Sequence, residues 1–289
     1  NKPVLVMKAG LSREGAVAAA THAGAYLGAD DVYAAAFARS GILRVHDIDT
    51  LFDSVETLAK GKPLRGERLA ILTNGGGPGF LAVDRLVMDG GQLAVLCEET
   101  KRKLDEELGA AKSYANPLVI RSNAAGEVYV KAMQVLFQDK GVDAILVMHV
   151  PTATVSSLEV AELVCKAAKK SKRHVLTSWL GIDDAEESRK VFAKAGVPTY
   201  FTPDKAIRGF LNLVQHQRTQ QLLMLRPPSL PEHFDPDVST AREMVRYVLS
   251  ENRQNLSESE AKIVLEAYEL PTITTRVVDK SAGLAGVLE

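Results

Sequence analysis

Short apolar runs alternate with helix-period segments along almost the whole chain. In the helix-period segments, apolar residues recur three or four positions apart, which is the spacing of one helix face. This alternation predicts βα units and a parallel sheet that is buried on both faces. Strands are predicted at residues 3–8, 42–45, 68–73, 92–96, 144–149, 174–179 and 198–201, with a further strand-like run at 272–278.

From residue 68 onward the pattern becomes more regular, with five strands and helices between them. That count is typical of a flavodoxin-like doubly wound α/β domain, in which right-handed crossovers are expected. A loop is predicted at residues 9–15. Helices are predicted from about 16 and at 30–40, 49–60, 79–89, 98–109, 126–139, 156–171, 184–195, 203–221, 238–251 and 259–268.

Two breaks divide the chain. One is the polar segment 62–67, and the other is the proline-rich segment 226–231, where regular structure is excluded. They predict the C-terminal part of one flavodoxin-like domain at 1–62, a complete flavodoxin-like domain at 63–222, and a linker with the beginning of a further domain at 223–289. Because the chain opens directly in a strand pattern and closes in what resembles the start of a helix, we expect a segment of a longer protein.

Composition narrows the possible functions. The 289 residues carry a net charge of −1, which gives no electrostatic basis for binding nucleic acid or an anionic membrane. No window approaches the ~18 apolar residues of a membrane span, and the start lacks the pattern of a signal peptide. The two cysteines suit a reducing compartment, so a cytoplasmic location and buried thiols are expected. No histidine pair has metal-ligand spacing, so no metal site is predicted.

The glycine-rich segment 73–79 is the strongest local signal. It follows a predicted strand directly and precedes a predicted helix. Glycines let the backbone turn tightly and approach an anion, and a helix N-terminus adds unpaired N–H donors and a positive dipole end. A phosphate site is one interpretation, and a strand–helix turn that needs glycine for packing alone is the other. The candidate phosphate-binding residues are Asn74, Gly75, Gly76, Gly77 and Gly79.

His22 lies among small residues in what the pattern indicates is a loop or a fraying helix end. Small neighbours leave an imidazole reachable, and its neutral nitrogen is a competent nucleophile toward phosphoryl groups. A lone histidine is more often structural or merely exposed, so both interpretations stay open. His149 is expected to be a hydrogen-bonded strand-end side chain, and Trp179 either borders a pocket or packs in the core. The residues of the loop around His22 are Thr21, Ala23 and Gly24.

Several segments, taken in order, resemble the nucleotide-forming (ADP-forming) acyl-CoA synthetases. Residues 2–10 and the His-Ala-Gly-Ala sequence at 22–25 resemble the family's second domain, and that tetrapeptide is similar to the active-histidine segment of the succinyl-CoA synthetase α subunit. Residues 70–79 resemble the next flavodoxin-like domain, the CoA-ligase domain, and residues 257–289 resemble the opening of the ATP-grasp domain. The match extends through Asn-Pro-Leu at 116–118, Trp179 and the segment 196–203.

The resemblance implies an acid-thiol ligase reaction, in which acyl-CoA, phosphate and ADP interconvert with an acid, CoA and ATP. His22 would carry the phosphoryl group from an acyl phosphate to the nucleotide, and the glycine segment 74–79 would be one of two helix ends that neutralise the phosphohistidine. No cofactor is expected within this segment, whereas CoA, ATP or ADP, and Mg²⁺ are expected for the full-length protein, which would be a homo-oligomer. The family usually has aspartate after Asn-Pro-Leu, and here that residue is Val119.

Two further hypotheses belong to other classes. Bacterial protein lysine acetyltransferases carry a similar synthetase-like region fused to a GNAT-type acetyltransferase domain, where it resembles a non-catalytic sensor of acyl-CoA. Residues 50–58 and 63–66 resemble that branch. Members that have lost activity tend to lack the histidine, so the presence of His22 favours the ligase hypothesis. The third hypothesis is a structural oligomerisation module, which predicts no labelled histidine and no ligand.

Overall fold

Strands and helices alternate along the chain as the hydrophobic pattern predicts. The structure, a computed structural model, describes residues 2–23, 29–60, 62–109, 115–224 and 235–273. The chain divides into two units, Asn1–Leu225 and Arg226–Glu289. In the part of the chain so described, no helix is long and apolar enough to cross a membrane.

The bounds of the elements agree closely with the predicted ones. The strands are β1 (Leu5–Met7), β2 (Leu43–Val45), β3 (Arg68–Thr73), β4 (Gln92–Leu93), β5 (Leu118–Val119), β6 (Ala144–His149), β7 (His174–Trp179) and β8 (Thr199–Tyr200). The helices are α1 (Arg13–Ala23), α2 (Asp30–Arg39), α3 (Ile48–Lys60), α4 (Gly76–Met88), α5 (Glu98–Leu108), α6 (Gly126–Gln138), α7 (Ser157–Lys170), α8 (Asp183–Ala195), α9 (Pro203–Met224), α10 (Val238–Ser250) and α11 (Glu258–Ala267).

A six-stranded parallel sheet organises most of the first unit. β6 lies between β3 and β7, and β8 pairs with the other side of β7. The remaining edge of β3 is shared, because β4 pairs with its first residues and β5 with its last. The order β4–β3–β6–β7–β8 confirms the predicted doubly wound arrangement. In such sheets ligands bind outside the carboxyl ends of the strands where the winding direction reverses, which here is between β3 and β6.

β5 is a strand that the hydrophobic pattern does not reveal, since it has only two residues and directly follows Pro117. Asn116 completes the edge of β3 beside it. The Asn116 Oδ1 accepts a hydrogen bond from the N–H of Ile71 at 2.9 Å, and its Nδ2 donates to the carbonyls of Leu69 at 2.9 Å and Ala94 at 2.8 Å. The side-chain amide therefore occupies the gap between β4 and β5 and supplies partners to backbone groups that need them.

The two faces of the sheet form two separate hydrophobic cores. Leu69 and Ile71 point to one face and Ala70 and Leu72 to the other, as the two-residue period of a strand requires. Helices α4 and α9 cover the first face, and helices α5 to α8 cover the second. The helix residues that fill these cores include Ala82, Leu86, Ile207 and Phe210 on the first face and Leu104, Tyr129, Met133, Val160, Val164 and Phe192 on the second.

A smaller parallel sheet, β1 with β2, precedes the large one. The helix that follows it, α3, contacts both α9 and β8 through polar groups. The Asn212 Nδ2 donates to the Ser54 Oγ at 2.7 Å, and the hydroxyls of Thr57 and Tyr200 are hydrogen bonded to each other. The two sheets thus lie within one unit, and the domain bounds proposed from the sequence stay predictions.

The second unit is described for two helices. Asp237 caps α10 by accepting a hydrogen bond from the N–H of Thr240 at 3.0 Å. At the start of α11, Ser257 and Glu260 form a capping box, in which each side chain accepts from the other residue's N–H. The helix start predicted at this acidic serine segment is therefore confirmed. The assignment to an ATP-grasp domain stays a prediction, and the strand predicted at 272–278 lies outside the described residues from 274 onward.

Two helix starts differ from the predicted ones. α4 begins at Gly76 instead of residue 79. The N–H groups of the first helical turn have no intrahelical partner in any case, so glycine is tolerated there and so is proline, which lacks the N–H. α1 begins at Arg13, within the predicted loop, so His22 lies in the last turn of a helix.

The prediction of buried thiols is half right. Cys165 is buried on the inner face of α7, but Cys97 is exposed. β4 ends at Leu93, and Cys97 lies in the loop that leads to α5, where it occupies the N-cap position. An N-cap residue lies at the outer end of a helix, which explains the exposure.

Replacing Asn116 by alanine should lower the free energy of unfolding by about 2–4 kcal/mol, because the N–H of Ile71 and the carbonyl of Ala94 lose this partner inside the sheet, and the carbonyl of Leu69 keeps only its bond from the N–H of Ala94. Urea unfolding of the purified chain measures this change. Asn123→Ala, at an exposed asparagine of the loop before α6, is the control and should change stability by less than about 0.5 kcal/mol. Equal effects of the two substitutions would contradict the role assigned to Asn116.

Candidate functional site

The glycine segment forms a tight turn between β3 and α4. Thr73 closes it, since its Oγ1 accepts a hydrogen bond from the N–H of Gly75 at 3.0 Å. Gly75 is the N-cap of α4, and the N–H of Gly79 donates to the Gly75 carbonyl at 3.2 Å as the first intrahelical bond. The N–H groups of Gly76 and Gly77 precede that bond and have no partner within the helix. The turn therefore presents two adjacent donors at the positive end of the helix dipole.

The glycines serve different purposes. A Cβ on Gly75 would lie 2.4 Å from the Val150 Cγ2, and one on Gly79 would lie 2.9 Å from the Thr73 Cγ2. These two positions need glycine for packing. A Cβ on Gly77 would meet nothing within 4 Å, so packing does not explain the glycine there. The packing interpretation of this segment applies to Gly75 and Gly79, and open space remains above the first turn at Gly77.

Asn74 joins three loops at the carboxyl ends of the strands. Its Nδ2 donates to the carbonyls of Ser122 and Val150, both at 2.9 Å, and its Oδ1 accepts from the N–H of Val150 at 2.8 Å. The side chain is buried and fully engaged in these bonds. Any contribution of Asn74 to phosphate binding would therefore come through its backbone.

A cleft of about 660 Å³ opens beside the glycine turn, outside the ends of β3 and β5. Arg121 is exposed at its rim, and no aspartate or glutamate of the described part of the chain lines the cleft. Val119, which stands where aspartate was expected, contributes an apolar wall. The cleft therefore has a positive character that suits an anion. Its lining consists of Asn74, Gly75, Gly76, Phe80, Val119, Ile120, Arg121, Ser122 and Asn123.

Arg121 is a residue that sequence analysis missed. It belongs to no sequence motif, and its position at the cleft follows only from the pairing of β5 with the end of β3. A smaller cleft of about 300 Å³ also borders Arg121, at the N-terminus of α6. Its walls include Leu108, Ala124 and Val128.

His22 is placed by its backbone alone. It is the penultimate residue of α1, and the side chains of His22 and Ala23 and the whole of Gly24 lie outside the described residues. Thr21 is described, and its exposed hydroxyl donates to the Ala18 carbonyl at 2.7 Å, as is common for threonine within a helix. The role of His22 as a phosphoryl carrier stays a prediction.

His149 is buried at the end of β6, and the expectation of a hydrogen-bonded strand-end histidine is confirmed. Its Nδ1 is 3.0 Å from the Tyr129 hydroxyl, and its Nε2 is 3.1 Å from the Ser157 Oγ. Burial lowers the pKa of the His149 imidazole to about 4, so the ring is neutral near pH 7. Trp179 is fully buried against it with ring centroids 5.1 Å apart, which assigns this tryptophan to the core.

Comparisons with known proteins place this geometry in a family. The model of the succinyl-CoA ligase-like flavodoxin domain matches residues 1–58. An ADP-forming acetate–CoA ligase (I) of Archaeoglobus fulgidus is 33% identical over 98% of this chain and 40% of its own length. An ADP-forming 4-hydroxybutyrate–CoA ligase of Nitrosopumilus maritimus is 31% identical over 93% of this chain and 38% of its own length.

A solved structure has the same fold. It is the dinucleotide-forming acetyl-coenzyme A synthetase 1 of Candidatus Korarchaeum cryptofilum in complex with phosphate and ADP. Its TM-score is 0.73 and its identity 30%, over 78% of this chain and 49% of that one.

The parallel sheets and the glycine turn at the winding reversal define a flavodoxin-like α/β protein. The chain belongs to the superfamily of NDP-forming acyl-CoA synthetases. It spans about two fifths of the length of the two curated relatives, 40% and 38%.

Acidification below pH 6.5 should destabilise the folded chain. The unfolded chain protonates a histidine near pH 6.5, whereas folded His149 stays neutral down to about pH 4. Between these values the unfolded state binds a proton that the folded state excludes, so the free energy of unfolding decreases, by about 3 kcal/mol for this one group. His174, whose pKa burial also lowers to about 4, adds to the trend.

Urea unfolding between pH 7.5 and 4.5 measures this loss, and the NMR titration of the His149 ring assigns it. A His149 ring that titrates near pH 6.5 in the folded chain would contradict the prediction.

Proposed function

We propose that this chain is the phosphoryl-handling segment of an ADP-forming acyl-CoA ligase. Three lines of support converge on it: the ligase names of the relatives that match almost the whole chain, the structural neighbour with bound phosphate and ADP, and the anion-directed turn at α4. The full-length ligase interconverts acyl-CoA, ADP and phosphate with acid, CoA and ATP. It acts in the cytoplasm as an oligomer, and its other domains bind CoA and the nucleotide with Mg²⁺.

The transfer proceeds in two steps through His22. An imidazole nitrogen attacks the phosphorus of an acyl phosphate, the bond from phosphorus to the acyl oxygen breaks, and the carboxylate leaves. A terminal oxygen of ADP then attacks the phosphohistidine, the bond between nitrogen and phosphorus breaks, and ATP forms. A covalent carrier lets one protein connect two sites that a single direct transfer could not.

The observation that carries this proposal is the first turn of α4. The N–H groups of Gly76 and Gly77 have no partner within the helix, and Gly76 borders a cleft that has one cation and no carboxylate among its described lining residues. A phosphoryl group spreads negative charge over its oxygens, and a fixed helix N-terminus stabilises that charge without having to reorganise. Arg121 adds an exposed positive charge at the rim of the same cleft.

Asn74 supports the turn without touching the ligand. Because its side chain binds both backbone groups of Val150 and the carbonyl of Ser122, the loops around the cleft keep one arrangement. Preorganised donors are worth more to a transition state than donors that must first be ordered. The two interpretations of the glycine segment therefore combine: packing fixes the turn, and the turn holds the phosphoryl group.

The hypothesis of a non-catalytic region in a protein lysine acetyltransferase is not favoured, since the relatives reported above are ligases by name. The hypothesis of a purely structural module does not explain two observations. One is the open space at Gly77, and the other is the absence of carboxylates from the described lining of the cleft.

Gly77→Ala should separate function from folding. The added methyl group enters open space in the first turn, so stability stays constant or rises by up to about 1 kcal/mol, because alanine favours helix. The same methyl group stands on the residue that supplies one of the two donors, where it would crowd a bound phosphoryl group, so phosphorylation of the full-length protein should slow about tenfold or more. Urea unfolding and the initial rate of labelling measure the two effects.

Two further variants serve as controls for Gly77→Ala. Gly75→Ala should instead lose about 1–3 kcal/mol of stability, because its Cβ would overlap Val150. Asp84→Ala, at an exposed residue of α4 away from the cleft, should change neither quantity. If Gly77→Ala labels at the wild-type rate, the helix end does not hold the phosphoryl group.

His22→Ala should abolish labelling of the full-length protein by radioactive ATP in the presence of Mg²⁺. In the unsubstituted protein the label should be labile to acid and stable to alkali, which is the behaviour of a phosphoramidate. His46→Ala, at an exposed histidine of the same unit, is the matched control and should retain the label. Binding of acyl-CoA without any label would overturn the ligase proposal in favour of the regulatory one.

A further inference from the structure

A buried polar cluster lies beneath the glycine turn, and the phosphoryl transfer described above does not use it. Both ring nitrogens of His149 have hydroxyl partners, Tyr129 from α6 and Ser157 from α7. The ring stacks on Trp179, whose Nε1 donates to the Ser157 carbonyl at 3.2 Å. The cluster therefore ties together α6, α7 and the ends of β6 and β7.

Burying such a cluster in a core has an unfavourable desolvation free energy. Each of its polar atoms loses hydration on burial, and only a complete set of hydrogen bonds offsets the loss. An apolar side chain of similar size at His149 would pack without this requirement. What the histidine adds is orientation, since its two ring nitrogens meet both hydroxyls in a single ring position, and satisfied buried networks are rigid.

The cluster is connected directly to the glycine turn. Val150 follows His149 in the chain, and its N–H and carbonyl are both bound by the Asn74 side chain. The Val150 Cγ2 occupies the space that a Cβ of Gly75 would need. Burial raises the pKa of the Tyr129 phenol, and the nearby backbone N–H of Asn74 opposes that rise. A shift of the His149 ring or the Tyr129 hydroxyl therefore moves the residues that begin α4.

We infer that Tyr129 and His149 are positioning residues, which aim the backbone donors at the start of α4 toward the phosphoryl group without contacting it. The inference rests on the proposed function for its consequence and on the contacts above for its geometry. A misplacement of about 1 Å at a site of this kind costs a reaction up to a hundredfold in rate. Small changes in the cluster should therefore affect transfer more than folding.

Tyr129→Phe is the first test, because it deletes one hydroxyl and keeps the ring in the core. We expect the amide NMR signals of Gly75, Gly76 and Gly77 to shift, while that of Gly196, at the far end of α8, stays in place. In the full-length protein the rate of labelling by ATP should fall about tenfold, with the KM for ATP unchanged. Met133→Leu, a neighbouring core substitution on the same helix, should leave both the signals and the rate unchanged.

A conservative series at His149 distinguishes positioning from packing. Glutamine keeps a donor and an acceptor and should restore part of the rate, whereas leucine, which is similarly bulky and apolar, should not. Ser157→Ala, which removes only the partner of the Nε2 atom, replaces the leucine variant if that chain fails to fold. Unaltered glycine signals and rates in folded Tyr129→Phe and Ser157→Ala would show that the cluster is merely structural.

Failure of this inference is distinguishable from failure of the proposed function. If the unsubstituted protein takes no label, the transfer proposal falls, yet the glycine signals in Tyr129→Phe still decide whether the cluster aims the turn. If the label forms normally in every folded variant, the ligase proposal stands and the positioning role falls.

Discussion

The structure depends on the hydrogen bonds of one buried amide. Asn74 stands where the doubly wound sheet reverses direction, and its side chain holds the loops that follow β3, β5 and β6 against one another. Parallel strands end at the same edge of a sheet, but nothing in the strands themselves fixes the loops beyond them. A single side chain with two donors and an acceptor can satisfy three backbone groups from two neighbouring loops. Helix α4 begins two residues later, so its first turn is held in place by the same hydrogen bonds.

The positive character of the cleft arises with little formal charge. A helix end, two backbone donors without an intrahelical partner and one arginine create it, while Val119 contributes an apolar wall. Partial charges on a fixed backbone do not move when a ligand arrives, so their effect on a phosphoryl group requires no reordering. A net charge of −1 is therefore compatible with the anion site proposed above.

Most of the fold could be predicted from the sequence, because long apolar runs and helix-period segments report burial directly. β3, β6 and β7 match their predicted bounds, since strands buried on both faces have a continuous apolar signal. β5 was missed, since two residues carry no period and its position depends on Asn116. Of the site, the glycine segment was visible through its flanking strand and helix. Arg121 and the Tyr129–His149 contact were not, because only strand pairing brings residues so distant in sequence together.

The divided edge of β3 also bears on how the protein behaves in a crowded solution. The sheet ends on one side in β4 and β5, which are two residues each, and on the other in the equally short β8. A long, flat edge strand exposes a row of unpaired backbone groups on which another chain can build, and this is a common origin of aggregation. Here the Asn116 side chain occupies the interruption between β4 and β5. The same asparagine that completes the fold thus protects the open side of β3 from recruiting a foreign strand.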